Sequence, residues 1–155
     1  MLLIQRHHGL RAHPGQIGLP GGSMDRGDHA LWQTALREAF EEVAVPPDAV
    51  RPLGYADPVR VHHTGFLITP LVASLAREFV PSLSLTEVES CFWMPLLDGP
   101  GSAEIVRRRV PTRLGDLEVP GYLFEEHFVW GATGMIVDDL RRRLGAPVAG
   151  PTAIP

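Results

Sequence analysis

Three glutamates crowd one short stretch, Arg37-Glu38-Ala39-Phe40-Glu41-Glu42-Val43, behind a glycine-containing segment, Gly21-Gly22-Ser23-Met24-Asp25-Arg26-Gly27-Asp28. On a helix, Glu38, Glu41 and Glu42 are like charges at close spacing, and each close pair costs roughly 0.2–0.5 kcal/mol. They also gather in the C-terminal half, where the macrodipole disfavours each anion by roughly 0.3–1 kcal/mol. Arg37, four residues before Glu41, relieves only part of this. A bound divalent cation would relieve nearly all of it, since hard cations take carboxylate oxygen. The competing reading is a solvated acidic helix face.

The elements that must position these groups are a glycine turn and one amphipathic helix. At about 100° per residue, Leu31, Trp32, Ala35, Leu36, Ala39, Phe40 and Val43 share one broad arc, which predicts a helix packed along that side. Arg37, Glu38 and Glu41 lie opposite. Glu42 projects into the apolar arc, between the directions of Leu31 and Ala35, which counts against a plainly solvated face. Asp28 is the expected N-cap, and Pro46-Pro47 ends the helix. Ahead of it, residues 16–19 read as a short strand entering Pro20-Gly21-Gly22, where glycine lets backbone approach a ligand closely. A strand, glycine turn and helix start can form an anion site, although glycine pairs are also common in plain turns.

Arg37-Glu38-Ala39-Phe40-Glu41-Glu42-Val43-Ala44-Val45 resembles the core of the Nudix box, Arg-Glu-apolar-x-Glu-Glu-x-Gly-apolar. The gap from Asp28 to Arg37 is one residue longer than in the general box, and Asp28 stands for the usual glutamate. That longer gap is similar to the coenzyme A pyrophosphatase branch. So is the preceding segment, Arg11-x-x-x-Gly15-x-x-x-Leu19-Pro20-Gly21-Gly22, with His13-Pro14-Gly15-Gln16-Ile17 inside it. Two positions depart from the pattern. Ala44 replaces the box glycine, which is acceptable if its φ stays negative, and Leu19 replaces a phenylalanine.

The resemblance implies an α/β Nudix fold, a mixed β-sheet sandwiched between α-helices, as one domain over residues 1–145 with a disordered tail over 146–155. It implies metal-dependent hydrolysis of the diphosphate of coenzyme A or a derivative, giving adenosine 3′,5′-bisphosphate and 4′-phosphopantetheine. Mg²⁺ or Mn²⁺ would be held by Glu38, Glu41, Glu42 and the Gly22 carbonyl, with Arg37 fixing the glutamate rotamers. Arg11, Gly15, Gly21 and Gly22 would contact substrate. Glu41, Glu42 and Glu87 are alternative general bases, with Glu89 the second choice in its region. The rival readings are a Nudix pyrophosphatase for ADP-ribose or another nucleoside diphosphate derivative, and a non-catalytic nucleotide-binding module. Relatives are often dimers, so a homodimer is an implied state. They also usually carry an earlier strand ahead of residue 2, whose loss would expose a sheet edge.

Elsewhere, strands are expected at 2–5, 50–55, 59–62, 66–75, 87–96, 105–110 and 117–124, the last two as a hairpin around Leu114-Gly115-Asp116. A second helix is expected over 132–144, with Met135, Ile136 and Leu140 inward, residues 138–143 on the wet face and Gly145 as its cap. Trp130-Gly131-x-Thr133, also similar to the branch, would pack that helix on the sheet. His7, His8, His13, His62 and His63 read as loop residues, and Arg107, Arg108 and Arg109 as exposed strand positions.

Composition bounds the rest. A chain of 155 residues has room for one domain with a core. The net charge of −4 gives no electrostatic reason to expect nucleic acid. All basic residues are arginine. The single cysteine, Cys91, reads as a core thiol. No apolar run spans a bilayer and the start lacks a signal-peptide pattern, so the expected location is cytoplasmic and the expected partner a small molecule.

Overall fold

The computed structural model describes residues 1–61, 65–112 and 115–150. In chain order the elements are β1 (Leu2–Arg6), β2 (Ile17–Gly18), α1 (Leu31–Val43), a 3-10 turn (Pro47–Ala49), β3 (Val50–Tyr55), β4 (Val59–Arg60), β5 (Leu67–Ile68), β6 (Leu71–Leu75), β7 (Val88–Trp93), β8 (Glu104–Thr112), β9 (Gly115–Phe124), β10 (His127–Val129) and α2 (Gly131–Arg143). The chain divides into two compact units, one of Leu2–Tyr55 and Leu71–Trp93, the other of Met1, Ala56–Pro70 and Met94–Pro155.

The first unit holds the acidic helix. β1 is the middle strand of an antiparallel sheet ordered β2-β1-β7, with Ile4 opposite both Gly18 and Cys91. The edges of this sheet are therefore β2 and β7. β3 and β6 form a separate antiparallel pair. Ile4, Val43, Val45, Val50 and Val88 make the buried core, with Leu36, Ala39, Phe79 and Cys91 packed against it. Each such aliphatic side chain contributes about 1.5–3 kcal/mol by leaving water. Burial also pushes the Cys91 thiol pKa up, as suits a packed thiol.

The apolar arc of α1 is narrower than its periodicity implies. Leu31, Trp32 and Phe40 are 48%, 43% and 54% exposed. The packing falls to Leu36, Ala39 and Val43, while Trp32 lines a shallow concavity with Pro52, Gly54, Tyr55 and Leu71. The run at 66–75 is also not one strand. Pro70 lacks an N–H for a ladder, and its carbonyl accepts the Ala56 N–H at 3.0 Å. The chain changes partners there: β5 pairs with β4, and β6 with β3.

The second unit is built on the long β8–β9 hairpin, in register from Glu104 opposite Leu123 to Thr112 opposite Gly115, with β10 added beside β9. The expected turn residue Leu114 lies outside the described residues, as do His62, His63 and residues 151–155. α2 packs on β4 and β9, burying Ile136 and Val137. Residues 138–143 are not uniformly wet: Asp138 and Arg141 are buried. The Tyr122 hydroxyl donates to Asp138. Arg141 donates to the carbonyls of Leu96 and Pro147 at 2.6 and 2.7 Å and pairs with Asp98 at 2.5 Å. The start of the expected tail is tied down as well, since the Ala149 N–H reaches Asp138 Oδ1 at 3.1 Å. Among the described residues, no helix is long and apolar enough to cross a membrane.

Candidate active site

All the residues singled out for chemistry belong to the first unit. α1 presents Arg37, Glu38, Glu41 and Glu42, and the turn after β2 presents Gly21 and Gly22. The helix begins two residues later than an Asp28 cap would place it. Its N-cap is Ala30, which makes no side-chain cap bond. Asp28 instead accepts from Arg37 Nη2 at 2.9 Å, from the Asp25 N–H at 2.9 Å and from Thr34 Oγ1 at 3.0 Å. These bonds hold the Asp28 carboxyl well below its ordinary pKa, the arginine foremost.

Arg37 is the hub of the acidic face. It donates to Asp28, to the Ser23 carbonyl at 3.2 Å and to Glu41 Oε2 at 2.9 Å, and it lies 2.9 Å from Glu38 Oε1. It therefore fixes two of the three glutamates and ties the loop at 23–28 to the helix. Asp28, through its hydrogen bond most of all, and Glu38 hold its own pKa up against the effect of burial.

Glu42 is turned the other way, as its place in the arc predicts. Its residue surface is only 2% exposed, and Oε2 accepts the Gly21 N–H at 2.9 Å. Burial pushes its pKa up to about 7; the negative charges of Glu38 and Glu87 add to the rise, while the Gly21 bond and the Arg6 charge oppose it. Gly22 approaches from the same turn. A Cβ built there would lie 2.4 Å from Glu38 Oε1 and 2.5 Å from Cδ. Any larger residue at 22 must displace that carboxylate.

The structure thus brings Glu38, Glu42, Gly21 and Gly22 together, with Glu87 close enough for its charge to act on Glu42. Glu87 is exposed, and its carbonyl accepts the His7 N–H at 2.8 Å. Glu89 faces away, toward His7 Nε2 at 3.6 Å. Glu41 stays on the exposed side with Arg37. Among the described residues, the three α1 glutamates do not form a group with ligand atoms all within 4.8 Å; Glu125, Glu126 and His127 do. Arg11 is exposed in the loop between β1 and β2. Gly15 takes φ +68°, and a Cβ there would meet the His8 ring at 2.4 Å.

Two partners of the site residues, Arg6 and Thr34, escaped the sequence reading; Thr34, three residues before Arg37 on the helix, had a spacing that could have flagged it. Chemically, the cluster offers hard oxygen donors beside a close-approaching main chain. That donor set suits a divalent cation.

Comparison with known proteins agrees. The model of the NUDIX domain matches residues 1–114. An uncharacterized Nudix hydrolase, NudL, of Klebsiella pneumoniae is 38% identical over 146 residues, spanning 94% of this chain and 76% of that protein. NudL of Escherichia coli O7:K1 is 37% identical over 145 residues, spanning 94% and 75%. A Caenorhabditis elegans Ap4A hydrolase binary complex shares the fold, with a TM-score of 0.52 over 61% of this chain and 67% of that one, at 23% identity. With the family model covering most of its length and relatives this similar, the chain belongs to the Nudix hydrolase family.

Proposed function

We propose that a single Nudix domain over residues 1–145 hydrolyses the diphosphate of coenzyme A or a derivative, giving adenosine 3′,5′-bisphosphate and 4′-phosphopantetheine, in the cytoplasm. The observation that carries the chemistry is the cradle at Gly21-Gly22, where main chain approaches Glu38 closer than any Cβ allows while Glu42 is held buried by the Gly21 N–H. The oxygen donors fit Mg²⁺ or Mn²⁺, which Glu38, Glu41, Glu42 and the Gly22 carbonyl would hold. When bound, such an ion offsets phosphoryl charge and makes water a better nucleophile near neutral pH.

The chain's own residues do the remaining work. Arg37 holds Glu38 and Glu41 in place, so their carboxylates need not be ordered when substrate arrives. Glu41, Glu42 and Glu87 are the groups available to take the proton from the attacking water. The preference for coenzyme A is supported by the Arg11-x-x-x-Gly15-x-x-x-Leu19-Pro20-Gly21-Gly22 segment, whose loop leads directly into the cradle. Arg11, at its exposed end, is the proposed contact for the substrate.

The test is a comparison of hydrolysis rates on coenzyme A, ADP-ribose and NADH with Mg²⁺, with and without EDTA. The expected result is fastest turnover of coenzyme A, abolished by the chelator, and lowered by about 100-fold or more in Glu41→Gln. Faster turnover of ADP-ribose would move the assignment to another Nudix substrate. Nucleotide binding without turnover would make the chain a binding module.

A further inference from the structure

Thr34, near the start of α1, is a poor choice for a helix on its own account. A β-branched side chain loses χ1 freedom there, and alanine would be the better helix former. Thr34 is also buried, 5% exposed, so its hydroxyl needs a partner inside the protein. A threonine within a helix commonly bonds back to the preceding turn. This one gives its proton to Asp28 Oδ2 at 3.0 Å, in the loop ahead of the helix.

Asp28 is where that bond has its effect. Its side chain is 7% exposed. Oδ2 also accepts the Asp25 N–H at 2.9 Å and Arg37 Nη2 at 2.9 Å, while Oδ1 takes Arg37 Nε at 3.3 Å. Both oxygens therefore grip one edge of the guanidinium, which fixes its plane. The other edge is left for the glutamates: Arg37 Nη1 lies 2.9 Å from Glu38 Oε1 and 2.9 Å from Glu41 Oε2. The contacts run from Thr34 through Asp28 to Arg37 and divide there between two carboxylates. A carboxylate held by its arginine alone would swing with it. The hydroxyl stops this from the same helix that carries the glutamates, so loop and helix are registered on one group.

We propose that Thr34 is a positioning residue: its hydroxyl sets the Asp28 carboxylate, which through Arg37 sets Glu38 and Glu41 for a divalent cation. This rests on the reading that those glutamates hold the cation. Carboxylates ordered before the cation arrives lose less freedom on binding it. Thr34 touches neither cation nor substrate in this assignment, so its loss falls on metal affinity and kcat and spares KM.

Thr34→Val removes the hydroxyl at similar size, Thr34→Ala removes it while favouring the helix, and Thr34→Ser keeps it. Two measurements compare them with the parent. One is steady-state kinetics at saturating Mg²⁺ on whichever of coenzyme A, ADP-ribose and NADH the parent turns over fastest. The other is Mn²⁺ affinity of the substrate-free proteins by water-proton relaxation. Thr34→Val and Thr34→Ala are expected to lower kcat by about 10-fold and raise the Mn²⁺ Kd by about 3-fold or more, with KM within about two-fold and Thr34→Ser close to the parent. Thr34→Ala decides if Thr34→Val does not fold. In an Arg37→Lys background, where Asp28 has no fork to fix, Thr34→Val is expected to change neither quantity by more than about two-fold. A hydroxyl that serves stability alone would lower Tm and leave kcat and Mn²⁺ affinity at parental values. That result overturns the proposal, as does an undiminished effect in the Arg37→Lys background. A parent that neither binds Mn²⁺ nor turns over any of the three compounds overturns the cation reading and this proposal with it. With a parent that binds Mn²⁺ but turns over none, the Mn²⁺ comparison decides.

Discussion

Glu42 spends its carboxylate in a place that water scarcely reaches, and in the cation-free protein this has a measurable consequence. Its folded pKa of about 7 stands above the ordinary 4.5, so the folded state binds the proton more tightly than the unfolded chain. Its contribution to stability is then fully present below about pH 4.5 and is lost as pH rises through 7. Burial is the largest cause, and the Gly21 N–H, Glu38, Arg6 and Glu87 adjust the size of the effect. Asp28 and Asp48, whose pKa values are lowered by Arg37 and Arg77, act oppositely and only in more acidic solution. Urea unfolding in EDTA is expected to show stability falling between pH 5 and 8, by up to about 3 kcal/mol, and Glu42→Gln is expected to flatten the profile. At this scale the sequence was informative wherever spacing along one helix decided the geometry. The inward turn of Glu42 and the Arg37–Glu41 pair both follow from a period of 3.6. The partners of Asp28 and the unpartnered Arg6 Nε depend on where separate segments meet, and local pattern carries no record of that.

At the level of elements, the end of α1 departs from expectation in an instructive way. Ala44 does not keep φ negative: it adopts φ 57°, ψ 34°, the left-handed conformation that the box glycine usually supplies. Its N–H bonds to Phe40 O at 2.9 Å, and the Val45 N–H reaches back to Ala39 O at 3.2 Å, so the turn that buries Val45 is made despite the Cβ. An L residue with a Cβ pays roughly 1–2 kcal/mol in this region, and glycine avoids that cost at some loss of unfolded-state entropy. Ala44→Gly is therefore expected to stabilise the protein by about 0.5–1 kcal/mol, raising Tm by about 1–4 °C in a thermal melt. The positions of β1, β3, β7 and both helices were legible from apolar runs, glycines and prolines. The division of the 66–75 run at Pro70 was not, because an apolar run does not say which strand each half will pair with.

For the whole molecule, composition and motif fixed the family, while the burial of charge had to come from tertiary structure. α2 reads on paper as having a wet C-terminal half. Yet Arg141, 1% exposed, binds two carbonyls from separate segments, and Asp138 joins Tyr122 to the chain at Ala149. Asp138 also raises the Tyr122 pKa, after burial itself. A helical wheel cannot anticipate carbonyls that approach from outside the helix. The account as a whole turns on whether the cradle at Gly21-Gly22 holds a divalent cation. The most direct measurement is a crystal structure of the protein soaked in Mn²⁺, with the ion located by anomalous scattering. The account predicts an anomalous peak within coordination distance of Glu38 and Glu42 and beside the Gly22 main chain. It would be contradicted by a cradle without any peak, or by Mn²⁺ bound only at Glu125, Glu126 and His127.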